Sequence, residues 1–321
     1  MEYRRLGQTG LKVSTICLGT MQFGWTADEE TSCEILDEAV ELGCNFIDTA
    51  DIYSSWIEGN KGGESEAIIG RWLSKKSVNR QNLVIATKVR GKMGDGPNDQ
   101  GLSRQHILNG IEESLQRLQT DYIDLYQVHW PDRETPLEET LGVLDDLVRS
   151  GKVLYIGCSN YPAWLLAKSL WISDINRLKR FETVQPHYNL VHRSEFEREL
   201  QPLCADQGIG VIPYSPLAAG FLTGKYQPSG PLPDSARVSG IQKRYMNESG
   251  FRVLEQLKQV AESHSVDLAQ VAIAWILANP EVDAAIIGAN STEQLIATMA
   301  GADIKLSDDD KKALNESSDW D

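Results

Sequence analysis

Short apolar segments alternate with amphipathic segments along most of this chain. Residues 83–88 and 122–129 are nearly continuous apolar runs, which is typical of strands that are buried on both faces. Between such runs, apolar residues recur at spacings of three and four, as in Ile35, Leu36 and Ala39, and this spacing predicts helices. The strand–helix unit repeats eight times at intervals of mostly roughly 30–37 residues. The pattern therefore predicts the α/β class, as a (β/α)8 TIM barrel.

Two segments depart from this repeat. Residues 3–6 and 11–13 are extended pieces around a glycine-containing turn, which predicts an N-terminal β-hairpin able to close one end of a barrel. Residues 216–249 follow the seventh strand, are rich in proline and glycine and show little periodicity. This predicts a long and functional loop. The alternative fold is an open, doubly wound sheet with Gly-x-Gly-x-x-Gly after its first strand, but Gly19-Thr-Met-Gln-Phe-Gly24 lacks that spacing.

Length and composition change this picture little. The chain has 321 residues, more than the usual ~100–150 of one domain, but barrels commonly exceed ~200 as one unit. No linker divides it, so we expect a single barrel domain over residues 1–321. The sequence contains no run of 18 apolar residues, so it predicts no membrane span, and the N-terminus carries no apolar signal region. We therefore expect a cytoplasmic protein.

Charge and cysteine content restrict the possible partners. The formal net charge of −15 argues against nucleic acids and anionic membranes. The five cysteines are odd in number and lack the spacing of a metal site, so we expect reduced thiols and no bound metal.

Polar side chains stand where three successive predicted strands end. Asp48 ends the second strand and Tyr53 follows one turn later, while Lys88 and His129 end the third and fourth strands. The active site of an eight-stranded parallel barrel lies at the C-terminal ends of its strands, so these four side chains should meet there. The alternative is that Asp48 and Lys88 form a structural ion pair and that Tyr53 is a loop anchor.

The four residues suit the reduction of a carbonyl group. Free tyrosine, with a pKa of ~10, holds its proton too tightly for reversible acid–base chemistry near neutrality. A nearby Lys88 ammonium favours the phenolate and should lower the pKa of Tyr53. Asp48 would hold Lys88 in place, and His129 would donate a hydrogen bond to the substrate oxygen. Protein side chains supply no hydride, so a nicotinamide cofactor is implied.

Together these motifs resemble the aldo-keto reductase family. The resemblance rests on Asp48-Thr-Ala-Asp-Ile-Tyr53, Thr87-Lys88 and Val128-His129-Trp-Pro-Asp132, and it extends from about residue 3 to about residue 295. It implies the same four catalytic residues and NAD(P)H-dependent reduction of an aldehyde, ketone or sugar.

The resemblance also implies a set of cofactor-binding residues. Ser159, Asn160 and Gln185 match positions that bind the carboxamide, and Tyr214 matches the ring that stacks on the nicotinamide. The remaining matches lie in the strand-seven motif, the pyrophosphate loop and the adenosine-phosphate site. They are Ser215, Leu217, Gly220, Leu222, Gly224, Lys225, Ile287, Gly288, Ala289, Asn290, Ser291 and Gln294.

The preferred cofactor is less obvious. Relatives that prefer NADPH commonly carry lysine or arginine after the Gly-Ala of strand eight, where this chain has Asn290 and Ser291. Ser291 still opens a helix N-terminus, a natural anion site, and Arg237, Lys243 and Arg244 of the long loop could supply a cation. We therefore expect a modest preference for NADPH, with NADH usable.

Aromatic residues in loops at the same barrel end predict an apolar substrate pocket, formed by Phe23, Trp25, Trp56 and Trp130.

Two other functions are alternatives to the reductase. One is an auxiliary subunit that holds the cofactor and regulates a partner, as some family members do. The other is a cofactor-free isomerase or lyase, which would need a metal cluster or paired carboxylates.

Overall fold

A hairpin and an eight-stranded parallel sheet form the centre of the fold. The structure, a computed structural model, describes residues 1–75, 78–233 and 235–320. The hairpin consists of β1 (Tyr3–Arg5) and β2 (Lys12–Ser14). The parallel strands are β3 (Ile16–Gly19), β4 (Phe46–Asp48), β5 (Val84–Val89), β6 (Ile123–Val128), β7 (Val153–Ser159), β8 (Thr183–Gln185), β9 (Gly210–Val211) and β10 (Ala285–Ile287).

The parallel strands close into a barrel. They lie in chain order from β3 to β9, with β10 paired to β3. Backbone hydrogen bonds from Asp283 N to Val211 O (2.9 Å) and from Ile286 N to Pro213 O (3.0 Å) join the last strand to the β9 side of the sheet. The predicted (β/α)8 barrel with its N-terminal hairpin is therefore confirmed.

Helices follow the strands and cover the outside of the barrel. In the described residues they are α1 (Glu29–Glu41), α2 (Glu64–Leu73), α3 (Arg104–Leu118), α4 (Leu137–Arg149), α5 (Ala163–Asn176), α6 (Ser194–Glu197), α7 (Leu200–Gln207), α8 (Val238–Arg244), α9 (Glu248–His264), α10 (Leu268–Leu277), α11 (Thr292–Met299) and α12 (Asp308–Ser317).

The hairpin closes the N-terminal end of the barrel. Its Leu6 and Val13 are fully buried and pack with the inward-facing strand residues, among them Phe46, Ala86 and Leu125. The turn of the hairpin lies so close to β9 that a Cβ atom on Gly7 would stand 2.6 Å from the backbone nitrogen of Gly210. With this end filled, the opposite end is the one that remains available for a site.

The segment after β9 is more regular than its composition predicts. Residues 218–223 (Ala218–Thr223) contain 3₁₀ turns interrupted by a kink at Ala219 and Gly220, α8 lies within the predicted loop, and α9 begins at Glu248. The expectation of little regular structure over 216–249 was wrong for α8. This helix has only seven residues and buries only Ile241, so its sequence carries no apolar periodicity that would predict it. Residue 234 of this segment lies outside the described residues.

Candidate active site

Three of the four predicted catalytic residues are joined by hydrogen bonds at the C-terminal end of the barrel. The Lys88 ammonium donates to Asp48 Oδ1 (2.5 Å), to the Thr49 carbonyl (2.8 Å) and to Tyr53 Oη (3.0 Å). Asp48 is 1% exposed and Lys88 is 0% exposed. Because the Tyr53 oxygen accepts from Lys88, its own hydrogen is left free for another acceptor.

The turn after β4 is held by β5, which explains the position of Tyr53. Backbone hydrogen bonds run from Thr49 N to Ala86 O (2.9 Å) and from Asp51 N to Lys88 O (3.2 Å). Ser54 then turns the chain with a φ of 69°, and its hydroxyl donates to the Phe23 carbonyl (2.8 Å). The chain is therefore fixed on both sides of the tyrosine.

A pair of glutamines completes the environment of Asp48. Its second oxygen accepts from Gln127 Nε2 (3.0 Å) and from Gln185 Nε2 (2.9 Å). The sequence analysis missed Gln127, although a signal was available. The residue lies two positions before His129 on an apolar strand, so it shares the inward-facing side, where a polar group needs a partner.

Burial and the neighbouring charges act in opposite directions on the two central groups. Burial lowers the pKa of Lys88, but the Asp48 carboxylate and the Tyr53 oxygen outweigh it and raise that pKa above its ordinary value. Burial raises the pKa of Tyr53, and the Lys88 cation offsets only part of this rise. Lys88 thus acts on Tyr53 in the predicted direction, but desolvation is the larger effect and the pKa of Tyr53 stays above its ordinary value.

His129 is held in its neutral form. Burial, followed by the Lys88 and Arg90 charges, lowers the pKa of His129 to about 3. Its ring centroid lies 6.0 Å from that of Tyr53, and Asn160 Nδ2 donates to its backbone carbonyl (3.0 Å). A neutral imidazole has one N–H group, so it can donate a hydrogen bond without adding a positive charge beside Lys88.

These residues stand at one end of a cavity of about 540 Å³. Asp48, Tyr53 and His129 line it together with Trp130. Most of the predicted cofactor-binding residues line the same cavity. They are Ser159, Asn160, Gln185, Tyr214, Ser215, Leu217, Gly220, Lys225, Arg237, Ile287, Gly288, Asn290 and Gln294.

Four predicted cofactor-binding residues do not line this cavity. Leu222 is fully buried and Ala289 is nearly so, and both belong to the hydrophobic core. A Cβ atom on Gly224 would meet Leu268, and Ser291 caps α11 by accepting a hydrogen bond from Gln294 N (3.3 Å). These four residues therefore support the backbone around the cavity through core packing, a close approach and a helix cap.

Tyr214 is held from two directions. Its hydroxyl donates to Asn160 Oδ1 (2.9 Å), and its ring stacks on His187 with centroids 5.1 Å apart and an interplanar angle of 10°. The His187 ring in turn lies 3.0 Å from the Tyr245 hydroxyl, at the end of α8. No spacing in the sequence links His187 to Tyr245.

The far part of the cavity favours negative charge. Lys225 and Arg237 line it, whereas Asp48 is the only carboxylate among its described lining residues. The backbone beside them has positive φ at Ser215, Ala218, Ala219 and Gly220, and the N–H groups of Ala218 and Gly220 donate within the turn to the carbonyls of Ser215 and Leu217 (both 2.9 Å). Of the three loop cations considered in the sequence, only Arg237 reaches this cavity, while Lys243 and Arg244 lie at the end of α8, and Arg244 lines a neighbouring cleft.

The cavity ends near the N-terminus of α11. Gln294 Oε1 accepts a hydrogen bond from Asn290 N (3.0 Å), and Thr26 Oγ1 donates to Asn290 Oδ1 (2.6 Å). Thr298 lines the cavity one turn beyond Gln294. This end of the cavity is therefore neutral and polar, with a helix N-terminus beside it.

The predicted aromatic pocket is only partly assembled at the cavity. Trp130 lines it, whereas Phe23 is fully buried in the hydrophobic core. Trp25 and Trp56 pack edge to face, with centroids 5.4 Å apart, and Trp56 lies 6.4 Å from Tyr53. The Arg237 guanidinium lies 5.4 Å from the Trp25 ring. Phe23 was misplaced because the adjacent turn directs its ring inward.

A buried acidic pair lies behind the Tyr53 turn. Glu66 accepts hydrogen bonds from Thr87 Oγ1 (2.5 Å) and Arg117 Nε (2.7 Å). Asp51 is 1% exposed, and neither of its carboxylate oxygens has a hydrogen-bond partner in the described structure. Burial, and then repulsion from Glu66, raises the pKa of Asp51 to about 7.

Comparison with known proteins identifies the family. The sequence model of the Aldo/keto reductase family matches residues 15–319. The chain belongs to the aldo/keto reductase family. The expected family and the expected class, an NAD(P)-dependent oxidoreductase, are confirmed.

Several relatives from different organisms match nearly the whole chain. An uncharacterized oxidoreductase YrpG of Bacillus subtilis is 42% identical, over 98% of this chain and 95% of its own. The versiconal hemiacetal acetate reductase of Aspergillus parasiticus is 36% identical over 98% of this chain and 96% of its own. A probable voltage-gated potassium channel subunit beta of Arabidopsis thaliana is also 36% identical, over 95% of this chain and 92% of its own.

No helix within the described ranges is long and apolar enough to cross a membrane. In the same ranges, no group of three or more histidine, cysteine, aspartate or glutamate side chains is arranged to hold a metal ion.

Proposed function

We propose that this protein reduces an aldehyde or ketone to an alcohol, with Tyr53 as the proton donor and NADPH as the preferred cofactor. The observation that carries the proposal is the hydrogen bond from Lys88 Nζ to Tyr53 Oη (3.0 Å) at the mouth of a cavity that continues to Asn290. It leaves the phenolic hydrogen free where a substrate oxygen can enter.

The cavity is chemically suited to a nicotinamide dinucleotide. Such a cofactor carries a pyrophosphate, and the Lys225 and Arg237 side chains that line the cavity supply positive charge for it. The Gln185 amide nitrogen already donates to Asp48, so its oxygen remains as an acceptor for an amide N–H. Ser159 and Asn160 lie beside it, and the Tyr214 ring lines the same part of the cavity.

Side chains of this protein transfer the proton and stabilise the charge that the transfer leaves behind. When bound, the nicotinamide supplies the hydride that forms the new C–H bond at the carbonyl carbon. The His129 N–H group orients the carbonyl oxygen, and Tyr53 transfers its hydroxyl proton to that oxygen as the C=O double bond becomes a single bond. Lys88 stabilises the phenolate that remains, and Asp48 keeps the Lys88 ammonium beside Tyr53.

The expected preference for NADPH over NADH is part of this proposal. Lys225 and Arg237 of the long segment line the cavity, and the neutral Asn290, Gln294 and Thr298 bring no acid to it. Glu293, in the first turn of α11, is the nearby residue that opposes a phosphate. The N-terminus of α11 adds a partial positive charge. These features favour the extra phosphate, but only modestly, because no basic residue follows Ala289 directly.

The direct test is a cofactor-oxidation screen with NADPH over aldehydes, sugars and diketones, run with wild type and Tyr53→Phe. The variant keeps the aromatic ring but loses the proton donor, so its turnover should fall by ~10²–10⁴-fold, with cofactor affinity nearly unchanged. A variant that keeps more than half of the wild-type turnover, with chemistry rate-limiting, would refute the role of Tyr53.

A second candidate is a cofactor-holding regulatory subunit. It is favoured by the similarity to the potassium channel subunit beta over nearly the whole chain. Steady turnover of an activated aldehyde such as 4-nitrobenzaldehyde separates the two functions. Cofactor binding without turnover across the whole screen would favour the regulatory role.

A further inference from the structure

Helix α5 carries apolar residues on both of its faces. Leu166, Leu170 and Ile172 belong to the hydrophobic core and cover the barrel. On the opposite face, Trp164 and Trp171 are each 59% exposed, and Ile175 is 58% exposed. A helix that is apolar all round is normally covered on both sides, so the outer face of α5 indicates an interface.

The outer face has the spacing of a helix–helix seam. Trp164, Lys168, Trp171 and Ile175 are exposed at intervals of four, three and four residues, and we call these four residues the α5 stripe. This is the alternation of a and d positions in a coiled coil. Because the intervals are the same when read from either end, the stripe matches a second, antiparallel copy of itself.

We propose that the α5 stripe pairs with the stripe of a second copy of this chain across a two-fold axis, so that the protein is a homodimer. A two-fold interface is isologous, which means that each residue meets the same counterpart twice. With the axis midway between Lys168 and Trp171, each Trp164 faces the second Ile175. Each Lys168 then faces the second Trp171.

The chemistry of these pairs supports a second copy as the occupant. A lysine ammonium over a tryptophan face is a cation–π contact, the stronger for being desolvated in an interface. A single polar residue at an a position fixes the register of a helix pair, and Lys168 stands at such a position. The stripe thus supplies both halves of each contact.

The exposed area is suited to the centre of a dimer interface. With ~250 Å² for a whole tryptophan side chain, the two tryptophans alone present roughly 300 Å² of each protomer. Standard interfaces bury ~800 Å² per partner and place their aromatic anchors centrally. Helices α4 and α7 flank α5 and would form the rim.

The test is the mass of the full chain in solution, measured by light scattering and by sedimentation over a concentration series. Wild type should be a dimer. Trp171→Lys places lysine against lysine in both symmetric contacts, and its dissociation constant should rise by at least ~30-fold, as for a hot-spot residue. The double variant Lys168→Trp plus Trp171→Lys exchanges the two partners, so it should return the dissociation constant to within about tenfold of wild type.

The matched control is Leu108→Lys, which changes an exposed apolar residue on α3 and should leave the dimer intact. Circular dichroism and NADP⁺ binding verify that each variant is folded. A monomeric wild type at every concentration would overturn the proposal, and so would a dimer that survives Trp171→Lys. Dissociation by the single variant without restoration by the double exchange would overturn the antiparallel register.

Discussion

Replacement of Asp51 by asparagine should stabilise the protein at neutral and alkaline pH. Asp51 lies behind the Tyr53 turn, where it is buried, lacks a hydrogen-bond partner in the described structure and is repelled by Glu66. Arg117, the cation of this cluster, is already bound to Glu66. A neutral amide has nearly the shape of the protonated carboxyl group, so the substitution removes the titration with little change in packing.

The magnitude follows from the pKa of Asp51, which burial and Glu66 raise from 3.8 to about 7. The unfolded carboxyl group loses its proton near pH 3.8, whereas the folded one keeps it up to about pH 7. Between these values the folded state binds more protons, so the free energy of unfolding falls as pH rises and levels off above pH 7. At ~1.4 kcal/mol per pKa unit, the cost is about 4 kcal/mol at pH 8.

The assay is urea denaturation of wild type and Asp51→Asn at several pH values from 5 to 8. The advantage of the variant in free energy of unfolding should grow by about 3 kcal/mol over this range, because wild type has already lost part of its stability at pH 5. Asp121→Asn, at an exposed position, is the control, and its curve should run parallel to that of wild type. A constant difference between Asp51→Asn and wild type would show that folded Asp51 is already ionised at pH 5.

Three further predictions concern catalysis and cofactor. Lys88→Met should shift the pH profile of alcohol oxidation, measured as kcat/KM, to higher pH. The Lys88 cation lowers the pKa of Tyr53, so its removal raises that pKa; an unchanged profile in an active variant would show that Lys88 does not tune Tyr53. Residues 216–249 should close over NADP⁺, since Lys225 and Arg237 line the cavity, so the rate of amide hydrogen exchange in this segment should fall when NADP⁺ is added. An equal rate with and without NADP⁺ would exclude closure of this segment. The ratio of kcat/KM for NADPH to that for NADH, with one aldehyde, should modestly exceed one, and a ratio that favours NADH would contradict the phosphate site.

The fold could be predicted because each strand and helix carries its own signal. Long apolar strands such as β5 and β6 were recognisable alone, and the order of the units fixed the barrel. Weak signals failed where the structure depends on distant partners. Helix α8 has seven residues with only Ile241 buried, which leaves no periodicity to detect.

The site was predictable where a polar residue ends an apolar strand, as at Asp48, Lys88 and His129. The motifs did not predict which of their residues face the cavity, because a motif contains both cavity-lining residues and residues that support the backbone. Leu222 and Ala289 belong to the second kind, since both are buried in the core. Gln127 was missed for the opposite reason: it lies inside a strand that was read as apolar throughout, although its amide binds Asp48.

The opposing effects on Tyr53 determine how the site can work. A proton donor for reduction must still hold its proton when the substrate arrives, and burial secures this by raising the pKa of Tyr53. The same burial would make proton transfer unfavourable if no cation stood beside the buried phenolate that the transfer produces. Lys88 meets that need only because Asp48 balances its charge, and Asp48 in turn depends on the amides of Gln127 and Gln185 for its second oxygen. In the proposed mechanism the lysine therefore acts mainly on the charged product of the proton transfer, since burial holds the pKa of the resting phenol above its ordinary value.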